Sequence, residues 1–186
     1  KNLFPTENNG ADWLRNYAGH SSNRFSKLTE INKNNLNNLS VAWEYKIDKE
    51  VAYDIQSNAI VAENKIIIPS YNKKIICLDA ITGELLWEFK LKDGSPRRGM
   101  VYKKNDTSKI FFSSYKKLIS VNVKDGKINK DFGKNGIVKL KRPSLTSPAI
   151  FKNNLVITTS EPSVNVYDVN TGKFLWKYIL MKSQLK

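Results

Sequence analysis

The stretch Leu78-Asp79-Ala80-Ile81-Thr82-Gly83-Glu84-Leu85-Leu86-Trp87 decides the fold, because the chain repeats it. An apolar strand runs into Asp and a small residue, then Gly, then an apolar finish closed by Trp. Tyr167-Asp168-Val169-Asn170-Thr171-Gly172-Lys173-Phe174-Leu175-Trp176 is a second copy, and Val121-Asn122-Val123-Lys124-Asp125-Gly126-Lys127-Ile128-Asn129-Lys130 is a degenerate third. The glycines at 83, 126 and 172 lie 43 and 46 residues apart. A period in the forties built from short strands marks the blades of a β-propeller. Each blade has an apolar face that only a neighbouring blade can cover.

Working outward, each copy is preceded by further short strands. In the first blade these are Ser57 to Val61, Lys65 to Pro69 and Lys74 to Leu78, with Leu85 to Leu91 closing it. The order recurs from Gly99 to Tyr102, Lys109 to Ser113, Lys117 to Val121 and Gly126 onward, then from Ser147 through Leu180. The expected fold is therefore all-β: a partial β-propeller of about three four-stranded antiparallel blades. The blades span residues 55–92, 98–140 and 145–180. Leu39 to Ile47 alternates as a strand does, and Trp43 precedes Trp87 by 44 residues. That predicts a closing strand of an incomplete blade at 41–47, preceded by an N-terminal arm at 1–40 with a short helical turn near Asn32 to Leu36.

Trp43, Trp87 and Trp176 are expected to wedge between blades, and Trp13 to anchor the arm. The second blade carries Asn129-Lys130 where Leu-Trp would stand, then a turn-rich excursion, Asp131-Phe132-Gly133-Lys134-Asn135-Gly136. Such a loop either carries function or decorates the surface. An open stack of three blades predicts uncovered apolar faces, and hence instability or self-association of this piece alone.

The 186 residues suit one domain. No apolar run reaches the roughly 18–20 residues of a membrane span. The chain opens at Lys1 without a Met or a leader, so it reads as a processed or excised piece. One cysteine, Cys77, excludes an internal disulfide and reads as a buried hydrophobe; with one histidine it excludes a Cys/His zinc cluster. The formal charge of +14 invites a polyanion, but the lysines are scattered through the turns, as at Lys73-Lys74, Lys103-Lys104 and Lys116-Lys117. Solvated surface charge is the plainer reading, with no nucleic-acid partner; a polyanion or acidic-membrane contact is the alternative.

The arm Asp12-Trp13-Leu14-Arg15-Asn16-Tyr17-Ala18-Gly19, continuing through Asn23 to Asn32 and Leu36 to Trp43, resembles the entry segment of pyrroloquinoline-quinone (PQQ) dependent dehydrogenases. The nearest likeness is to the membrane-bound glucose, quinate and shikimate type. The Ala-x-Asp-x-x-x-Gly-x-x-x-Trp blade ending is shared across PQQ-type propellers. The resemblance implies an eight-bladed propeller holding PQQ and a divalent metal, calcium or magnesium. It implies oxidation of a sugar or alcohol hydroxyl, with electrons passing to a quinone or cytochrome. A periplasmic location follows from the same resemblance, with or without attachment to the cytoplasmic membrane.

Carried over residue by residue, the resemblance points to Arg98, in the Arg-Gly pair leading into a blade strand, as a partner of the cofactor's oxygens. Thr146 and Ser147, before Pro148, match the family's Thr-Ser-Pro. Gln56 stands where many members have a Glu at the cofactor. Ser160 (cofactor) and Glu161 (metal) lie near the family's first metal-ligand loop. Each also has a plain reading: Arg98 a solvated turn residue, Thr146 and Ser147 the entrance of a strand, Glu161 a surface carboxylate, His20 a turn contact. The chain departs from the alcohol-oxidising branch in lacking its adjacent Cys-Cys pair, with Arg97 there instead. It also lacks the Gly-Val-Arg-Gly run between Ser160 and Val164. The resemblance places the catalytic Asp, the second metal ligand and the remaining blades beyond this chain, which is then inactive alone. The competing class is a non-catalytic propeller scaffold, like the outer-membrane assembly lipoproteins with the same Trp-ended blades.

Overall fold

The structure, a computed structural model, describes residues 12–18, 22, 24–47, 56–96, 98–104, 106–144 and 146–180. His20, Asn23 and the expected blade starts at 55 and 145 lie outside them. Among the described residues, twelve strands form three four-stranded sheets, each a simple up-and-down meander. The first contains β1 (Ile60–Ala62), β2 (Lys65–Ser70), β3 (Lys74–Asp79) and β4 (Leu85–Lys90). The second contains β5 (Val101–Lys103), β6 (Lys109–Ser114), β7 (Lys117–Asn122) and β8 (Ile137–Lys139). The third contains β9 (Ala149–Phe151), β10 (Asn154–Thr159), β11 (Ser163–Asp168) and β12 (Phe174–Ile179). All ladders are antiparallel. The sheets pack side by side, with β5 touching both β1 and β9, so the three short first strands lie together at the inner edge. This is the partial propeller that the repeat implies.

Two apolar clusters fill the spaces between sheets. One joins Ile67, Ile75 and Cys77 to Met100, Ile110 and Phe112; the other joins Phe111, Leu118 and Phe132 to Leu155, Ile157 and Tyr167. Cys77 is fully buried, and desolvation pushes its thiol up to about 12, so it packs as a hydrophobe. Pro69 sits in β2 opposite Ile75, beyond the reach of β1, whose pairing ends at Ile67; its missing N–H breaks no ladder there.

The glycine-aromatic pattern is an inter-blade joint. Trp87 lies flat over Gly126 of the next sheet and donates its indole N–H to the Val123 carbonyl at 3.0 Å. Trp43 repeats this on Gly83, with its N–H on the Ala80 carbonyl at 3.3 Å. Residues 41–47 were expected to form a closing strand, yet they carry no ladder among the described residues. A closing strand pairs with the third strand of its own blade, and the described residues before it supply none. The aromatic joint survives without the strand.

The second blade also differs from expectation. Its fourth strand was placed from Gly126 onward, but Ile128 makes only a single bridge to Val121, and the closing strand is β8, after the excursion. The excursion supplies the missing wedge. Phe132, fully buried, and Val138 lie against Gly172, while the Gly133 N–H bonds the Thr171 carbonyl at 2.8 Å. Asn129 and Lys130 replaced Leu-Trp without loss of the joint.

A polar latch ties the first two sheets at the end carrying the β1–β2 turn. Tyr102 donates its hydroxyl to Glu63 Oε1 at 2.8 Å, and the Ser108 hydroxyl donates to the same oxygen. The Ser108 bond above all holds the Glu63 carboxyl below its ordinary value, burial works against it, and Tyr102, Lys65 and Lys104 add to the lowering. A carboxyl depressed on folding stabilises the fold above its unfolded value, near 4.5, and that support is lost as pH falls through the folded value. Glu63→Gln is therefore expected to flatten the acid limb of a stability-versus-pH curve below about pH 4.5. An unchanged acid limb would show that the latch carries no proton-linked stability.

Candidate functional site

The arm reaches the inner edge by strand-like contacts. Trp13 exchanges both backbone bonds with Val61, at 2.7 and 2.9 Å, and the Leu14 carbonyl accepts from the Tyr102 N–H at 2.9 Å. The arm is thus laid between β1 and β5, and Trp13 anchors it as expected. Beyond that point the backbone takes left-handed φ at Tyr17 (65°), Ala18 (73°) and Arg24 (57°). Non-glycine residues pay for such conformations, and these cluster beside a cavity.

That cavity, of about 880 Å³, is lined by Asn16, Tyr17, Arg24, Gln56, Asn58, Arg98, Thr146 and Ser147. Its location follows from the repeat. Gln56 and Asn58 precede β1, Arg98 precedes β5, and Thr146 with Ser147 precede β9, so three equivalent entry segments converge on one space. Four of the five cofactor residues read from the sequence (Gln56, Arg98, Thr146 and Ser147) are brought together here.

Arg98 is set by its neighbour. Gly99 has φ 112°, and a Cβ there would collide with the Asn16 carboxamide, which lies over it and donates to the Arg98 carbonyl. The glycine of the Arg-Gly pair lets the arm pin the backbone beneath the guanidinium. Arg24 stacks on the Tyr17 ring at 4.4 Å. Neither guanidinium is paired with a carboxylate among the described residues. Thr146 shares a hydroxyl bond with Thr158 at 2.9 Å, and its carbonyl accepts from Ser113 at 2.9 Å, which fixes the strand entrance. Among the described residues, the Ser147 hydroxyl makes long contacts, 3.3 and 3.5 Å, to the Pro148 and Met100 carbonyls.

Among the described residues, no carboxylate lines the cavity. Two cations, three hydroxyls and three carboxamides face it, which suits a flat ligand rich in anionic oxygens. Asn16, Tyr17, Arg24 and Asn58 escaped the sequence reading as site residues. The arm has no period to align it with the blades, although Asn16, Tyr17 and Arg24 fell inside the quoted arm segments.

Ser160 and Glu161 lie elsewhere. They occupy the β10–β11 turn, at the same end of the blades but off the cavity lining. The Ser160 N–H bonds the Pro143 carbonyl at 2.8 Å. Glu161 is engaged by Lys177 at 2.5 Å, and that bond is the first cause holding its carboxyl below the ordinary value. No group of three or more His, Cys, Asp or Glu side chains able to hold a metal occurs among the described residues. Among the described residues, those at the cavity thus suit a ligand rich in anionic oxygens, and none of them forms a metal-holding cluster. Nor is any helix among them long and apolar enough to cross a membrane.

The sequence matches the PQQ family model "Glucose/ethanol/alcohol dehydrogenase, beta-propeller domain" over residues 13–185. The chain belongs to this family. Among its curated relatives, quinoprotein glucose dehydrogenase A of Acinetobacter calcoaceticus is 28% identical, with 90% of this chain and 28% of the relative covered. The dehydrogenase subunit of a quinone alcohol dehydrogenase from Gluconobacter oxydans (strain 621H) is 26% identical, covering 95% of this chain and 26% of that protein. The crystal structure of quinohemoprotein alcohol dehydrogenase from Comamonas testosteroni superposes with a TM-score of 0.75 at 18% identity, over 92% of this chain and 28% of that one, a likeness of fold alone. This PQQ-family chain therefore spans less than a third of the length of these relatives.

Proposed function

We propose that the chain is the N-terminal part of a PQQ-dependent dehydrogenase of the periplasm that oxidises a sugar or alcohol hydroxyl and passes the electrons to a quinone or cytochrome. The observation that carries this reading is the convergence of Gln56, Arg98, Thr146 and Ser147, with Arg24 and Tyr17 from the arm, on one cavity with two cations and no carboxylate among its described lining residues. When bound, the quinone supplies the two-electron acceptor that turns a hydroxyl into a carbonyl. Within this chain, Arg98 and Arg24 neutralise the ligand's anionic oxygens. Thr146, Ser147 and Gln56 orient its edge by hydrogen bonds, and Tyr17 offers an aromatic wall. The catalytic carboxylate and the ligands of a calcium or magnesium ion belong, on this reading, to later blades of the longer protein, and Glu161 keeps its lysine partner. Glucose-type and alcohol-type substrates are distinguished by those later blades too.

The test is a spectroscopic titration of the full-length apoprotein with PQQ in the presence of calcium. Arg98→Ala removes a charge-assisted contact worth about 1.5–3 kcal/mol, so affinity is expected to fall roughly 10- to 100-fold with the melting temperature unchanged. Dye reduction with aldoses and polyols then sorts the substrate class. Absence of any PQQ binding would overturn the reading and favour a non-catalytic scaffold.

A further inference from the structure

The lysines that look scattered in the sequence are gathered by the topology. In every blade the turn between the second and third strands and the link to the next blade lie at one end. Hydrogen bonds stitch these segments into one surface. The Lys73 carbonyl accepts from Leu91, and the Ser114 hydroxyl of the second blade donates to Gly94 in the same link at 2.6 Å. In the next link, Ser144 donates to the Tyr115 carbonyl and Pro143 accepts from Ser160 of the third blade. Tyr71 to Lys73, Tyr115 to Lys116 and the two links therefore share one end of the molecule, the end onto which the cavity residues also open.

Charge at this end is one-sided. The acidic groups that the blades and links carry at this end among the described residues are Glu88, Asp93 and Glu161, and each is already spanned by a lysine: Lys74 at 3.2 Å, Lys117 at 2.5 Å and Lys177 at 2.5 Å. Left over and exposed on the turns and links are Lys73, Lys92, Lys116, Lys141 and Arg142. The opposite end is mixed, with Glu63, Glu84, Asp106, Asp125 and Asp168 among its lysines. Two turns at the cationic end also carry an exposed tyrosine, Tyr71 (49%) and Tyr115 (56%), each followed within two residues by Lys73 and Lys116 respectively. The Lys116 ammonium lies 5.7 Å from the Tyr115 ring.

We propose that this end docks on an anionic lipid surface. Turn tips of adjacent blades share this end, and a laterally mobile layer of anionic headgroups satisfies such an array without any fixed pairing geometry. Tyrosine, apolar in its ring and polar at its tip, is suited to the headgroup level. An acidic protein would need carboxylates placed to match each lysine, so the lipid is the occupant that the repeated Tyr-Lys tips favour. The proposal stands whether or not the cavity takes a quinone.

The experiment is co-sedimentation of the full-length protein with phosphatidylcholine vesicles, with and without phosphatidylglycerol. Binding to the neutral vesicles is subtracted to remove any separate anchor. Each lysine near an anionic surface is worth about fivefold in binding. The combined Lys73→Gln, Lys92→Gln, Lys116→Gln and Lys141→Gln variant should lose at least about 30-fold of the phosphatidylglycerol-dependent part. Tyr115→Ser should lose a few-fold. Lys104→Gln, Lys124→Gln and Lys152→Gln, at the opposite end, should lose little. These positions are all exposed, and unchanged melting temperatures verify that each variant is folded. No gain from phosphatidylglycerol overturns the proposal, as do equal losses from the two ends, which would mean net charge alone. Tight binding to an acidic protein without vesicle binding overturns it in favour of a protein partner.

Discussion

Trp87→Ala is expected to destabilise the protein by about 3–5 kcal/mol, the cost of removing a large buried aromatic. Trp87 is 9% exposed and its ring fills the space between the first two sheets, so alanine leaves a cavity that strands on both sides hold open. The same change orphans the Val123 carbonyl, which accepts the indole N–H. Against a total stability of about 5–15 kcal/mol, this is a large fraction. Trp176, half exposed on β12, is the built-in comparison. Its truncation should cost under about 1 kcal/mol in this chain and approach the Trp87 value only where a further blade stands on it. Urea denaturation curves of the two variants check this. Equal midpoint shifts for Trp87→Ala and Trp176→Ala in the isolated chain would refute the wedge.

Gly126→Ala carries the second large effect, about 2–4 kcal/mol. The residue has φ 68°, where a side chain is itself strained, and its Cβ would fall 2.6 Å from the Trp87 ring. Overpacking against a rigid indole adds to the backbone term. Gly94→Ala is the control, because no atom lies within 4 Å of the added methyl and its φ is not positive. That change should be neutral or slightly stabilising through the unfolded chain. If Gly126→Ala and Gly94→Ala melt together, the close ring contact is not a constraint.

Both effects express one joint, and that joint explains why so much of the fold was legible. A wedge needs an aromatic at the end of one blade and a residue without Cβ in the next, so sequence and packing share a period. The period located eleven of the strands to within a few residues. It failed at the second blade, where Phe132 reaches the same space from a loop of different length. A contact that is conserved in space but not in register leaves no repeat to read. It failed at residues 41–47 for another reason, since alternation of apolar residues predicts a strand but does not provide its partner.

The candidate site divides along the same line. Gln56, Arg98, Thr146 and Ser147, which the family resemblance singled out one by one, hold equivalent positions ahead of first strands, and that equivalence is why they share one cavity. Ser160 and Glu161 share their end of the blade but belong to a turn farther from the inner edge. Sequence position gives the end and not the distance from the cavity. Asn16, Tyr17 and Arg24 come from an aperiodic arm, and only its threading between β1 and β5 carries them to the site.

By itself the order of residues determined the blade: strand lengths, the left-handed glycine turns and the aromatic joints are local demands repeated every 43 to 46 positions. What only the tertiary structure decided is which dispersed residues meet. Stacking antiparallel meanders side by side brings alternate turns to the same end. Cations more than forty residues apart, such as Lys73 and Lys116, thereby become one surface, and three separate strand entrances become one cavity. Chain connectivity alone cannot express that collection, because it depends on the packing of sheets that share no covalent neighbours at their faces.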